Sequence, residues 1–161
     1  MLSTELELLD YLTKWQIEFG VLDAEGQQQV EVNILNTDNS ISITQMKVRD
    51  VMYFTEYGTI TIPGKFILEK SLLYINRILD EELSNMVDSI FKGEATLSSI
   101  ERMYDEICLK IQDYVRNNMI IYITKTNQLG QIFNEGRDDN KYLYDLIELR
   151  KYIKCVAVFK N

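Results

Sequence analysis

Hydrophobic residues change their spacing several times along this chain, and each change marks an element. Near the start, Leu6, Leu9, Tyr11 and Leu12 offer one apolar side, with Ser3 or Thr4 placed to cap a helix through about Lys14. Over residues 15–22 large apolar and polar side chains alternate, the period of a half-buried strand. Asp23-Ala24-Glu25-Gly26-Gln27 has the composition of a turn, and residues 30–35 alternate again as a second strand. Residues 36–40 read as a loop and 41–43 as a short strand, after which Thr44 caps a helix that ends at Tyr57.

The most regular spacing follows. Leu68, Leu72, Ile75, Leu79, Leu83, Met86 and Ile90 recur three or four apart, while Glu69, Asn76, Arg77, Asp80 and Glu81 fill the other side. Gly93 ends this helix and Thr96 or Ser98 starts the next, where Leu97, Ile100, Tyr104, Ile107, Ile111, Tyr114 and Val115 repeat the spacing. The two stripes predict a long αα-hairpin that packs on itself and covers a sheet; part of one stripe facing a neighbouring subunit is the sharper alternative. Residues 119–123 are apolar and either finish the helix or turn into a strand. The stretch near 125–140 is polar, carries Gly130, Gly136 and Asp138-Asp139-Asn140, and predicts an exposed loop of the kind that is functional or mobile. Residues 153–159 close the chain as a last strand. The predicted fold class is α+β in one domain over 1–161: a small, mostly antiparallel sheet from residues near 15–35 and 153–160, packed against a long αα-hairpin and shorter helices.

Composition narrows the function. Apolar residues make up 46% and charged residues 26%, as in a folded globular protein and not a disordered one. A net charge of −8 argues against specific nucleic-acid binding, which rests on Lys and Arg neutralising phosphate. The same charge suits the lining of a conduit through which DNA slides without sticking. Cys108 and Cys155 lie on a helical stripe and a terminal strand with no cysteine framework around them, so they read as buried free thiols of a reducing cytoplasm. The acidic start is unlike a signal peptide, and no apolar run approaches the roughly 18 residues of a membrane span.

Catalytic chemistry finds no foothold. The chain has no histidine, which removes the commonest general base and metal ligand, and two separated cysteines make no zinc site. No glycine-rich phosphate loop is present, and carboxylate pairs such as Glu5 with Glu7 read as solvated helix surface. The expectation is therefore no enzyme, no cofactor, no metal and no catalytic residue.

One segment is distinctive. A short apolar helix stops at Glu56-Tyr57-Gly58-Thr59, and Ile60-Thr61-Ile62-Pro63-Gly64-Lys65, with the chain's single proline, leads into the long helix from about Phe66. This order resembles the tail completion, or head–tail joining, proteins of tailed phages, in which a short helix ends in Glu-Phe-Gly-Thr and an Ile-Pro-Ala-Arg-Pro-Phe-Leu-like segment enters a long helix. Glu56, Tyr57, Gly58, Thr59, Ile62, Pro63 and Leu68 match, while Gly64, Lys65, Phe66 and Ile67 depart from the usual residues. Ile17, Phe19, Gly20, Val21 and Leu22 fit the family's early strand. Lys141, Leu143, Asp145, Leu149, Arg150 and Ile153 fit its closing motif, with Leu146 and Ile147 replacing Thr-Gly.

The resemblance implies a structural virion protein at the neck, assembled in the host cytoplasm. Such a protein completes the tail and joins it to the head through contacts with the tail tube or terminator, the head connector and its own copies in a ring, without a membrane. Tyr57, Ile62, Pro63, Phe66, Tyr144, Asp145 and Arg150 are the candidate interface residues, and tyrosine suits interfaces as well as cores. A tail terminator or another neck component is the alternative within this class, and a small acidic adaptor or inhibitor of a host protein the alternative outside it.

Overall fold

Alternation and helical spacing place the elements of the computed structural model, which describes residues 2–35, 38, 40–58, 64, 66–126, 141–143 and 146–161. In chain order they are α1 (Leu2–Leu12), β1 (Trp15–Val21), α2 (Asp23–Gly26), β2 (Gln29–Leu35), β3 (Ile41–Lys47), α3 (Val48–Tyr57), α4 (Ile67–Phe91), α5 (Leu97–Thr126), β4 (Lys141–Leu143), α6 (Leu146–Leu149) and β5 (Ile153–Phe159). A 3-10 turn, Arg150–Tyr152, joins α6 to β5. The fold is α+β, with small antiparallel sheets and a long helical hairpin, as the patterning predicts.

The strands divide differently from the expectation of one sheet. β1 pairs antiparallel with β5, from Trp15 opposite Phe159 to Val21 opposite Ile153. β2 instead pairs with β3 and β4, in the order β3-β2-β4. The cause is local. The residues expected to form a turn between β1 and β2 form the helical turn α2, which redirects the chain; Gly26 lies against Arg49, where an added Cβ would come within 3.1 Å of the arginine Cβ. β2 then meets its nearest neighbour in sequence, for which loop closure is least costly.

β3 also outruns its prediction. It continues through Thr44 to Lys47, so Thr44 is a strand residue and not a helix cap, and α3 starts at Val48 without a side-chain cap. Thr44 and Met46 face Val32 and Val30 across the ladder, and this inward row favours extended backbone.

The hairpin forms where the stripes place it. At the end of α4, Gly93 adopts φ 74°, Gly93 N–H donates to Ile90 O (3.1 Å) and Glu94 N–H to Ser89 O (2.9 Å), a Schellman closure of the helix. Thr96 opens α5: its hydroxyl accepts Ser99 N–H at 3.1 Å and Ser99 Oγ accepts Thr96 N–H at 2.8 Å, a reciprocal capping box. The helices run antiparallel, joined by the stacked rings of Tyr74 and Tyr114 (centroids 3.7 Å apart), by Asn118 donating to buried Ser71 (3.1 Å) and by Lys110 with Glu82 (3.0 Å). Residues 119–123 finish α5 as helix.

α5 is the centre of the core. Ile100, Met103, Tyr104, Ile107, Cys108, Ile111, Val115 and Met119 are buried against α4, β5 and β1. Leu97 lies outside this row and is exposed. On α4 the buried row is Ile67, Ser71, Ile75, Ile78 and Ile90, rotated from the predicted stripe so that Leu72 comes out to solvent. In α1 it is Leu8 and Leu12 that are buried, while Leu6 is exposed. The stretch expected as a loop is helical through Thr126, and residues 127–140 lie outside the described ones.

Candidate protein-interaction site

The junction between α3 and α4 concentrates buried polar contacts and exposed aromatic surface in one place. α3 turns Val48, Val51, Met52, Thr55 and Glu56 inward, while Tyr53 and Tyr57, one helical turn apart, point outward. Gly58 ends the helix with φ 83° and donates its N–H to Phe54 O at 2.8 Å. The chain returns at Gly64, where an added Cβ would lie 2.5 Å from the Glu56 carbonyl oxygen and 2.6 Å from the Tyr57 carbonyl carbon. Only a residue without a side chain allows this approach of two backbone segments.

Glu56 ties the returning chain to α3 twice. Its carbonyl accepts Phe66 N–H at 3.0 Å, and its carboxylate takes Leu68 N–H on Oε1 (2.8 Å) and Glu69 N–H on Oε2 (3.0 Å). Those two amides are the ones a residue at the helix cap would ordinarily satisfy. The residue at that position is Phe66, which has no acceptor in its side chain and sits in the left-handed region (φ 51°, ψ 41°). The preceding helix therefore supplies the cap of α4, and the positive end of its dipole faces a carboxylate that is only 3% exposed.

This clamp presents an apolar surface. The Tyr57 ring lies 5.0 Å from Tyr53 and 6.3 Å, edge-on, from Phe66. Beside it an open groove of about 380 Å³ is lined by Phe19, Glu56, Tyr57, Leu68, Glu69 and Leu72. Tyr53 and Tyr57 are 59% and 60% exposed and Leu73, next along α4, is 83% exposed, so the surface is open to a partner.

Of the seven candidate interface residues, Tyr57 and Phe66 are brought into contact here. Arg150 is not part of this surface. It lines a separate groove of about 240 Å³ with Asp113, Arg116, Asn117 and Lys151. Arg116 is held there by its bonds to the Ile153 carbonyl (2.7 and 3.1 Å), and Lys151 by Glu148 (2.9 Å). Ile62, Pro63, Tyr144 and Asp145 lie outside the described residues.

Two features escaped the sequence reading. Glu56 appeared as part of a motif without a physical role, since a side chain reaching twelve residues along the chain leaves no periodic trace. Leu73 had a signal: with Ile75 inside, adjacent Leu72 and Leu73 cannot both face the core at 3.6 residues per turn, and both emerge.

Tyr11, hydrogen-bonded to Glu101 (2.6 Å), and Tyr104, desolvated in the core, both titrate above the usual phenol range. Among the described residues no cluster of three or more histidine, cysteine, aspartate or glutamate side chains is placed to hold a metal ion, and no helix is long and apolar enough to cross a membrane. The chain matches no family model, no curated protein and no solved structure.

Proposed function

We propose that this chain is a structural virion protein of a tailed phage, or of a phage-derived tail particle, acting at the head–tail junction. It completes the tail and enables joining to the head by contacts with neighbouring virion proteins and with its own copies in a ring. In a ring each copy repeats one heterologous contact until the circle closes.

The observation that carries this reading is the junction around Glu56. The segment that resembles the phage proteins is the one in which a buried carboxylate and a glycine contact fix the backbone while Tyr53, Tyr57, Phe66, Leu72 and Leu73 remain exposed. Two backbone segments clamped together with aromatic side chains left outside them are suited to docking, because a pre-ordered surface loses little entropy when a partner arrives.

Electron microscopy of a lysate in which this gene alone is disrupted tests the proposal. The expected result is filled heads beside detached tails of full length. Tails of uncontrolled length assign the terminator role instead, and intact infectious particles overturn the structural reading in favour of an adaptor for a host protein.

A further inference from the structure

The two cysteines lie together. Cys108 is on α5 and Cys155 on β5, both are free, and both are buried, at 6% and 9% exposure. α5 packs along β5, and Gln112, one turn after Cys108 on the same side of α5, accepts Cys155 N–H at 3.1 Å. That bond holds the Cys155 backbone against the turn of helix that carries Cys108. Beside each other the two thiols titrate apart: the neighbouring Cys155 holds Cys108 below the ordinary thiol value, against burial and the charge of Asp105, while Cys108 and burial push Cys155 up. Cys108 is thus the better nucleophile and Cys155 the donor beside it.

We propose that Cys108 and Cys155 form a reactive dithiol that a peroxide converts into an intramolecular disulfide, stapling the last strand to the central helix. The Cys108 thiolate attacks one peroxide oxygen; the O–O bond breaks, the leaving hydroxide takes a proton, and Cys108 becomes a sulfenic acid. The Cys155 sulfur then attacks the Cys108 sulfur, the S–O bond breaks, and the departing hydroxide leaves as water with the Cys155 proton. Two thiols and one hydrogen peroxide give one disulfide and two waters, the two electrons passing from sulfur to oxygen. A small oxidant suits the site because so little of either thiol is exposed. The new bond closes a loop over residues 109–154 and restricts the unfolded chain.

The test is to treat the purified, reduced protein with hydrogen peroxide. The expected product is a monomer lighter by two hydrogens, with a peptide linking Cys108 to Cys155 and a melting temperature raised by about 5–15 °C, reversed by dithiothreitol. Cys108→Ser and Cys155→Ser should both abolish the rise; the peptide link in the unsubstituted protein decides the matter if a variant fails to fold. Two thiols that survive treatment, a sulfinic acid in place of the link, or a bond between two chains would overturn the proposal.

Discussion

The Glu56 carboxylate, in the last turn of α3, accepts the backbone N–H of Leu68 in the first turn of α4 at 2.8 Å, with Glu69 N–H on its other oxygen at 3.0 Å. Two helices that lie apart in sequence are thereby joined at their ends by one side chain. The bond also explains how α4 begins without a capping residue of its own.

Replacing that side chain should cost more than an ordinary cap. Glu56→Ala leaves two amides without their acceptor in a poorly solvated place, and we expect a loss of about 2–3 kcal/mol. Glu56→Gln keeps one acceptor oxygen and recovers only part of this. Urea denaturation measures both, and a loss below about 0.5 kcal/mol in the alanine variant would show that the amides find other partners.

Gly64→Ala should be disruptive for a steric reason. Its methyl group would sit 2.5 Å from the Glu56 carbonyl oxygen, and the atoms it meets are backbone, which cannot swing aside. The expected cost is about 1–3 kcal/mol, read from the same denaturation curves. An unchanged midpoint would mean that the returning segment shifts at no cost.

The exposed surface should behave in the opposite way. Leu73→Glu and Tyr57→Lys place charge where solvent already reaches, so stability should stay within about 0.5 kcal/mol of the unsubstituted protein. Complementation of the disrupted gene by these variants should fail or fall at least tenfold. Full complementation by both would move the docking surface elsewhere on the protein.

Alkaline pH tests the core around α5. Tyr104 donates its hydroxyl to Leu12 O at 2.6 Å, and burial raises its pKa above the usual 10.0. A folded pKa above the unfolded one means that this stabilisation is complete below the unfolded pKa and is lost as pH rises through the folded one. The melting temperature should hold across neutral pH and fall above about pH 10. Tyr104→Phe should melt lower at neutral pH and show a shallower alkaline fall; an equally steep fall would assign the effect to other tyrosines.

The helical hairpin was legible because its cues are local. Three-to-four spacing, Gly93 and Thr96 place α4 and the start of α5 within a residue or two of where they stand. The first strand was legible by alternation and the last as a terminal apolar run, and the buried cysteines were legible from their places on a stripe and a strand. Two of the seven candidate residues, Tyr57 and Phe66, were readable in the same way because they flank a recognisable helix end and helix start.

Strand partnership, the rotation of α4 and the clamp were not legible. Val30 to Leu35 alternates equally well beside β1 or β3, and only the helical turn α2 and the position of the neighbouring chain select β3. The α4 stripe is broad enough to be buried from either side, and packing against α5 decided that Ser71 goes in and Leu72 comes out. Glu56 stands in a recognisable motif, but nothing in its neighbours in sequence shows that its carboxylate reaches the amides of Leu68 and Glu69. Backbone preference and hydrophobic period act over a few residues, and from them most helices and strands could be read, though α2 and the end of β3 were read otherwise. The tertiary structure alone decided which strands pair, which leucines meet water and which carboxylate caps a helix, because those depend on groups brought together from distant parts of the chain.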